Sequence, residues 1–219
     1  MKRTQFPHFL LILVFWVPVA YLSFLLAHNA ILYFTHGGEY GILPEKWAAR
    51  QDMLWNTCFY IHLPTGVLCL LSPLFLFARR YIKKGLSLHQ FIGRLYVWIT
   101  LVLVCPTGMY LAFYAKGGTV TQVGFLIQGL LLAAFTYQGY LAICRGDKRA
   151  HVRYMTRSYA MVLVVITFRV LHIVFFMWKV PYQDNYAMSQ WLGLSLNALL
   201  AEIVLVRFSI SHTSNPISV

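Results

Sequence analysis

Apolar residues in this chain are gathered in six long runs, separated by short polar connections. The runs cover residues 9–34, 55–77, 91–115, 122–144, 155–178 and 188–208. Each run is long enough, at 1.5 Å per helical residue, to cross a hydrocarbon layer of about 30 Å. The pattern therefore predicts an all-α, polytopic integral membrane bundle of six transmembrane helices, which forms a single transmembrane domain over residues 1–219.

The basic residues are divided unevenly between the two ends of this predicted bundle. Short connections make neighbouring helices antiparallel, so the two termini and the second and fourth connections share one side. Thirteen of the 18 Lys and Arg residues lie on that side, and four lie on the other. Because cytoplasmic loops of membrane proteins carry an excess of Lys and Arg, both termini are expected in the cytoplasm. The expected location is a bacterial cytoplasmic membrane.

The composition agrees with a membrane protein and argues against an ordinary soluble domain and a nucleic-acid-binding protein. Hydrophobic residues make up 59% and charged residues 11% of the 219 positions, and the mean hydropathy is +0.65. An ordinary soluble domain is about 45–50% apolar and about 25% charged. The net charge of +12 does not indicate a nucleic-acid partner, because the basic residues flank the apolar runs. The expected partner is the lipid bilayer.

The third predicted span carries a stripe of mostly polar residues at helical spacing. Steps of three and four residues place them on one face of a helix. The stripe consists of His89, Gly93, Tyr96, Thr100, Leu103, Thr107, Tyr110 and Tyr114. Two interpretations remain open: a hydrogen-bonded seam between helices, or one wall of a ligand groove in which Gly93 permits close approach.

Arg169 lies inside the fifth run, more than two helical turns from either end. An arginine at this depth needs a partner, because a charged side chain in the bilayer interior is costly. The candidates are Glu202 and Asn197 on the sixth run, or a bound anion. If the partner is a buried side chain, removal of Arg169 is expected to destabilise the protein by about 3–5 kcal/mol.

Four histidines match in depth as two pairs. His62 and His172 form the pair nearer the outer end, and His89 and His151 begin their spans at the cytoplasmic end. Two imidazoles at one depth on different helices are what a b-type haem requires, so haem b is a candidate cofactor. His89 and His151 are the preferred iron ligands, because Gly93 and several arginines lie at the same end.

Arginines complete this candidate haem site. The guanidinium groups of Arg169, Arg157 and Arg94 are candidate partners for haem propionates. The candidate cofactor-binding residues are therefore His89, His151, His62, His172, Arg169, Arg157 and Gly93.

Two segments resemble a known family of membrane proteins. The first is Leu-His-Gln-Phe-Ile-Gly-Arg-Leu-Tyr at 88–96, and the second runs from 148 to 160 and leads to Thr-Phe-Arg at 167–169. Both resemble recurring elements of the family called domain of unknown function 2306, over roughly residues 60–180. The resemblance implies a membrane fold and carries no assigned activity.

The Leu-His-x-x-x-Gly element at 88–93 is also similar, more faintly, to one found in cytochrome b561-type proteins. There the histidine binds haem, and two histidine pairs lie on four central helices. Here His151 and His172 share one helix, and the fourth span has no histidine.

Three functions remain open at this point. The first is haem-b electron transfer with a quinol-like partner. The second is a non-redox membrane module, either a small-solute or proton pathway or an accessory subunit of another membrane protein. The third is a membrane-embedded enzyme acting on a lipid or isoprenoid, with Glu202, Arg169 or histidines as acid–base groups. Isolated aspartates offer no metal-binding motif for the third, and whether the protein is an enzyme stays open.

Overall fold

A computed structural model describes the backbone of residues 6–77 and 85–213. Within this part the chain is helical and contains no strand. The α-helices are α1 (Phe6–His36), α2 (Met53–Phe77), α3 (Gly85–Trp98), α4 (Cys105–Ala112), α5 (Gly118–Cys144), α6 (Lys148–Met177) and α7 (Tyr182–Thr213). The basic residues at positions 2–3 and 79–84, which contribute to the predicted orientation, lie outside the described residues.

Six helical segments of the described chain are long and apolar enough to cross a membrane. They are Val17–Glu39, Met53–Pro73, Leu88–Ala112, Gly118–Cys144, Lys148–Met177 and Tyr182–Arg207. The prediction of an all-α membrane bundle with six spanning helices is therefore confirmed. The helices α5, α6 and α7 begin four to seven residues before the apolar runs at 122, 155 and 188. Their first turns are polar, because a helix can continue past the hydrocarbon layer.

Tight turns make the last three helices run antiparallel. Gly146 follows α5 with a φ of 78°, a left-handed conformation that favours glycine at a helix end. Asp147 then caps α6, because its carboxylate accepts a hydrogen bond of 2.8 Å from the backbone N–H of Ala150. At the opposite end, α6 and α7 are joined by a connection of four residues.

The packing of the helices defines two ends of the bundle. We call the end at which α1 and α6 finish the upper end, and the opposite end the lower end. The helices α5, α6 and α7 pack against one another, while α2 contacts α1, α3, α4 and α6. The main core lies where these two groups meet, and its fully buried side chains include Leu70, Met161 and Val164.

A second cluster of buried side chains closes the upper end. This aromatic cluster consists of Tyr33, Leu43, Trp55 and Phe59. The connection between α1 and α2 folds back over it, and Leu43 of that connection is completely buried. The fold-back is held by the Tyr33 hydroxyl, which accepts a hydrogen bond of 3.2 Å from the backbone N–H of Ile42.

The third span is interrupted by a π-helical segment, Ile99–Val104. The backbone N–H of Cys105 bonds to the carbonyl of Thr100, five residues earlier. Pro106 follows directly; a proline lacks an N–H and its ring clashes with the carbonyl four residues earlier in an α-helix. The wider π turn accommodates the proline, and the Thr107 hydroxyl donates to the Leu103 carbonyl at 2.5 Å.

Gly108 allows α2 and α4 to approach closely beside this segment. A Cβ atom built on Gly108 would lie 2.7 Å from Cε1 of His62, which is too short for a real contact. We expect Gly108→Ala to destabilise the protein by about 1–3 kcal/mol, the range for overpacked cores. The measurement is thermal unfolding in detergent. Gly93→Ala is the control, because a Cβ there meets no atom within 4 Å in the part of the chain that the structure describes. An equal effect of the two variants would contradict the prediction.

Candidate functional site

The polar stripe on the third span forms hydrogen bonds to other parts of the protein along most of its length. Tyr96 bonds to Ser158 on α6 at 2.7 Å, and Thr100 bonds to Cys69 on α2 at 3.2 Å. Further up, Thr107 bonds to His62 at 3.1 Å. These contacts match the interpretation of the stripe as a hydrogen-bonded seam between helices.

At the upper end the seam finishes on a carboxylate. Asp52 accepts a hydrogen bond of 2.7 Å from the Tyr110 hydroxyl and one of 2.8 Å from the backbone N–H of Leu54. These bonds stabilise the charged form, so they lower the pKa of Asp52 below its ordinary value of 3.8, with the Tyr110 bond as the largest cause. Asp52 therefore ties the start of α2 to the end of α4.

This pKa shift predicts a pH-dependent contribution to stability. A carboxyl group with a lowered folded-state pKa stabilises the fold above its unfolded pKa, and this contribution is lost as the pH falls through the folded pKa. We expect Asp52→Asn to lower the melting temperature relative to the wild type at pH 7, and the difference to shrink below about pH 4.

The measurement for Asp52 is the melting temperature of both proteins across this pH range. Asp184→Asn is the control, because Asp184 is exposed in the first turn of α7. A difference between wild type and Asp52→Asn that stays constant down to the lowest pH would contradict the prediction.

A cavity of about 320 Å³ lies between the helices in the upper half of the bundle. We call it the central cavity. Its lining includes Asn29 and Tyr33 from α1, His62 and Gly66 from α2, Gly108 and Met109 from α4, Gln128 from α5, Val165 and Arg169 from α6, and Gln190 from α7. No Asp or Glu is among the described residues that line it. Its size lies at the lower end of the range for small-molecule sites.

Arg169 is the cation of the central cavity. Its side chain lines the cavity and is exposed. It interacts electrostatically with the Tyr186 hydroxyl, but no hydrogen bond or ion pair joins it to another described residue. A guanidinium offers five N–H donors in a planar fork, so Arg169 can bind a carboxylate or phosphate group directly.

Neither of the two predicted side-chain partners reaches Arg169. Glu202 accepts two hydrogen bonds from Arg157, of 2.6 and 2.9 Å. Asn197 donates to Thr167 at 2.7 Å and to the Gly193 carbonyl at 2.8 Å. The expectation that removing Arg169 breaks a buried side-chain pair is therefore corrected, because depth along a helix does not specify which face the side chain occupies.

A relay of two glutamines forms part of the cavity wall. Gln128 donates a hydrogen bond of 2.9 Å to the Met161 carbonyl, which can only accept, so its amide oxygen faces Gln190. Gln190 donates to that oxygen at 2.9 Å. The amide oxygen of Gln190 is consequently left without a partner among the described residues, although its side chain is completely buried. Burying an unsatisfied acceptor costs about 1–3 kcal/mol.

The structure separates the two members of the upper histidine pair. His62 lines the central cavity. His172 is outside the lining, where its Nδ1 bonds to the Asn185 side-chain oxygen at 2.8 Å and its ring stacks on Phe168 with 4° between the ring planes. His172 therefore fastens α6 to α7.

The lower pair shares a level in the bundle. The Tyr96–Ser158 bond joins α3 to α6. His89 lies two helical turns before Tyr96, and His151 lies two helical turns before Ser158, so both are about 10 Å below this bond. The Nδ1 atom of His151 bonds to the Gly139 carbonyl at 2.8 Å. A carbonyl only accepts, so Nδ1 carries the proton and Nε2 keeps the lone pair that a metal ion requires.

The lower end fits a haem group in part. Gly93 lies one turn above His89, and a Cβ built on it meets no atom of the described residues within 4 Å, which leaves room beside the helix. Arg157 does not fit the predicted role of propionate partner, because Glu202 already holds its guanidinium. Among the described residues, no group of three or more His, Cys, Asp or Glu residues is arranged to hold a metal ion.

Sequence reasoning missed three polar residues of the central cavity. They are Asn29, Gln128 and Gln190. The available signal was an amide side chain inside or beside an apolar run, since polar groups in spanning helices face the bundle interior.

Comparison with known proteins gives a family and no function. Neither a curated protein nor a solved structure matches the chain. The likeness to the cytochrome b561 type is thus not supported. The family model described as predicted membrane protein (DUF2306) matches residues 59–205, which includes both segments that carry the resemblance and all or most of five of the six spanning helices. The chain belongs to the DUF2306 family of membrane proteins.

Proposed function

We propose that this protein is a non-redox membrane module whose central cavity binds a small anionic ligand through Arg169. The observation that carries the proposal is the position of this arginine: it lines a cavity in which no described residue supplies a carboxylate. A charged side chain near the centre of a spanning helix costs about 2.5–3.5 kcal/mol on the insertion scale. A bound anion offsets that cost, and it is the remaining one of the three expected partners.

The test is anion binding to purified protein in neutral-lipid nanodiscs. We expect saturable binding of a carboxylate probe to the wild type and a loss of about tenfold or more in Arg169→Gln, since a charge-assisted hydrogen bond contributes about 1.5–3 kcal/mol. Arg153→Gln is the matched control, because Arg153 lies on the same helix, exposed and outside the cavity. Equal binding by all three proteins would overturn the proposal.

Electron transfer by haem b with a quinol partner is the second candidate function. Two observations favour it. The Nε2 atom of His151, which lies on the same level as His89, keeps a lone pair, and there is open space at Gly93, one turn above His89. A haem bound by His89 and His151 would supply a one-electron couple, and the chain would hold the iron and exclude water from it.

An absorbance spectrum of the purified protein tests this second candidate. A reduced-minus-oxidised band typical of b haems, lost in His89→Ala and His151→Ala but kept in His62→Ala and His172→Ala, would support it. If the wild-type protein shows no such band after it is reconstituted with haemin, this candidate function is rejected. For the third function, a lipid or isoprenoid enzyme, Glu202 is not available as an acid–base group in the cavity, because it is paired with Arg157 outside it.

We also propose that the lower end of the bundle faces the cytoplasm of a bacterial cell. Arg145, Lys148, Arg149 and Arg153 lie at the lower end, whereas Lys46, Arg50, Lys116 and Lys179 lie at the upper end. This asymmetry follows the positive-inside rule. Reporter fusions after Arg149 should read cytoplasmic and fusions after Glu39 external, and the reverse pattern would overturn the assignment.

A further inference from the structure

We infer that the ligand of the central cavity is an amphipathic acid that comes from the bilayer: a single carboxylate headgroup on a hydrocarbon chain. This inference rests on the proposed function, because it names the class of anion that Arg169 binds. Three properties of the cavity support it: the chemistry of the wall, the closure of both ends, and the exposed face of α6.

The wall offers one cation and little other free polarity. Asn29 already accepts a hydrogen bond of 2.6 Å from Tyr40, and His62 is bonded to Thr107. Gln128 uses both ends of its amide within the protein. Most other lining residues are apolar, including Leu26, Leu63, Val67, Val104 and Leu132.

This wall discriminates against small hydrated anions. An inorganic anion would give up its water shell for a single guanidinium, and burying a charge without enough partners is unfavourable. An acid with a hydrocarbon chain makes the same ion pair and also buries apolar surface, which contributes about 25 cal/mol per Å².

Both ends of the cavity are closed to water. At the upper end the aromatic cluster covers it, with Leu43 and Trp55 exposed by 0% and 2%. At the lower end the core is filled by Tyr96, Ser158 and Met161, none of which is exposed by more than 2%. A ligand therefore reaches Arg169 from the side.

The exposed face of α6 is where this lateral access lies. Val165 and Arg169, one helical turn apart, both line the cavity and are both exposed. The cavity volume of about 320 Å³ suits a headgroup and the first part of a chain, with the remaining chain in the bilayer. We call the Val165–Arg169 face the portal.

The experiment measures equilibrium binding of four probes to full-length protein in phosphatidylcholine nanodiscs: dodecanoate, acetate, inorganic phosphate and the neutral alcohol dodecanol. We expect dodecanoate to bind saturably, and the other three to bind at least about tenfold more weakly. Arg169→Gln should lose dodecanoate binding by about tenfold or more, and Arg153→Gln should retain it.

A second variant tests the portal itself. Val165→Trp is expected to weaken dodecanoate binding by about tenfold, because the larger side chain fills the access route. Val170→Trp is the matched control, since Val170 is exposed on the same helix but does not line the cavity. Equal dodecanoate binding by both tryptophan variants, each with the melting temperature of the wild type, overturns the lateral route.

The other outcomes separate this inference from the proposed function. Arg169-dependent binding of acetate or phosphate without binding of dodecanoate overturns the amphipathic ligand and leaves the anion site standing. Equal binding of dodecanol and dodecanoate overturns the acidic headgroup. If dodecanoate uptake is unchanged in Arg169→Gln, the uptake is partition into the lipid and does not report a site at Arg169. If acetate and phosphate also fail to bind, both proposals are overturned.

Discussion

Replacing Arg169 by leucine is expected to raise the melting temperature of the ligand-free protein by about 2–12 °C. The insertion scale assigns a difference of about 3 kcal/mol or more between arginine and leucine at the centre of a spanning helix. Because the Arg169 side chain is exposed at the portal and does not lie fully inside the bundle, this gain is reduced to about 1–3 kcal/mol. In a protein of this size each 1 kcal/mol moves the melting temperature by about 2–4 °C.

The sign of this prediction depends on whether the substitution of Arg169 leaves another charged or polar side chain without a partner. Glu202 stays bonded to Arg157 and Asn197 stays bonded to Thr167, so Arg169→Leu creates no unpaired charge. Arg157→Leu is the informative comparison: it removes the partner of Glu202 and is expected to lower the melting temperature. Thermal unfolding followed by tryptophan fluorescence measures both variants. A fall in the melting temperature of Arg169→Leu would mean that the guanidinium has a stabilising partner.

Arg169 thus combines an unfavourable position with a free binding group. A side chain that destabilises the empty protein and is stabilised by a ligand makes stability depend on the ligand concentration. The structure accounts for this combination through the fold: Glu202 on α7 is held by two hydrogen bonds from Arg157 on α6, so it does not pair with Arg169.

The helices could be predicted from the sequence because hydrophobic length is a direct consequence of the bilayer. A spanning segment must be apolar over about 20 residues, and six runs of this chain satisfy that condition. The polar stripe of the third span was visible for the same reason, since a hydroxyl inside a span must face a partner. Tyr96, Thr100 and Thr107 each have one.

The rotation of each helix about its axis could not be predicted. His62 and His172 match in depth, but His62 lines the central cavity and His172 is bonded to Asn185 on α7. Depth follows from counting residues, whereas the direction of a side chain depends on how neighbouring helices pack. The π-helical segment adds to this problem, because it turns the upper part of the third span relative to the lower part.

The cavity residues Gln128 and Gln190 show the same limit. Each is a polar residue in a spanning helix, which indicates an inward position. Their relay to the Met161 carbonyl depends on three helices meeting at one level. The packing of three helices at one level is a property of the tertiary structure, and it cannot be predicted from the sequence of any one helix.

A chain of hydroxyl groups centred on Ser158 lies in the core. Thr136 donates to the Leu132 carbonyl at 2.7 Å, so its oxygen accepts from Ser158, also at 2.7 Å. Ser158 in turn accepts from Tyr96 at 2.7 Å. Every hydroxyl proton in this chain has an acceptor, and the chain links α3, α5 and α6 at the centre of the bundle.

Ser158→Ala is therefore expected to destabilise the protein by about 1–3 kcal/mol, or about 2–12 °C in melting temperature. The Tyr96 hydroxyl, on a side chain exposed by only 2%, loses its acceptor and stays buried. Hydrogen bonds between membrane helices contribute about 0.6 kcal/mol on average and up to about 1.7, so the unsatisfied donor accounts for much of the loss.

The double variant Tyr96→Phe/Ser158→Ala distinguishes two costs: the loss of the hydrogen bond between Tyr96 and Ser158, and the burial of a Tyr96 hydroxyl that has no acceptor. It removes both groups, and replacement of both partners by apolar groups can be nearly neutral. We therefore expect the double variant to be more stable than Ser158→Ala alone, and Tyr96→Phe alone to be destabilised less, because Ser158 still donates to Thr136. Thermal unfolding of the four proteins completes the cycle. A double variant that is no more stable than Ser158→Ala would show that the Tyr96 hydroxyl finds another acceptor, and that the chain does not determine how α3 packs on α6.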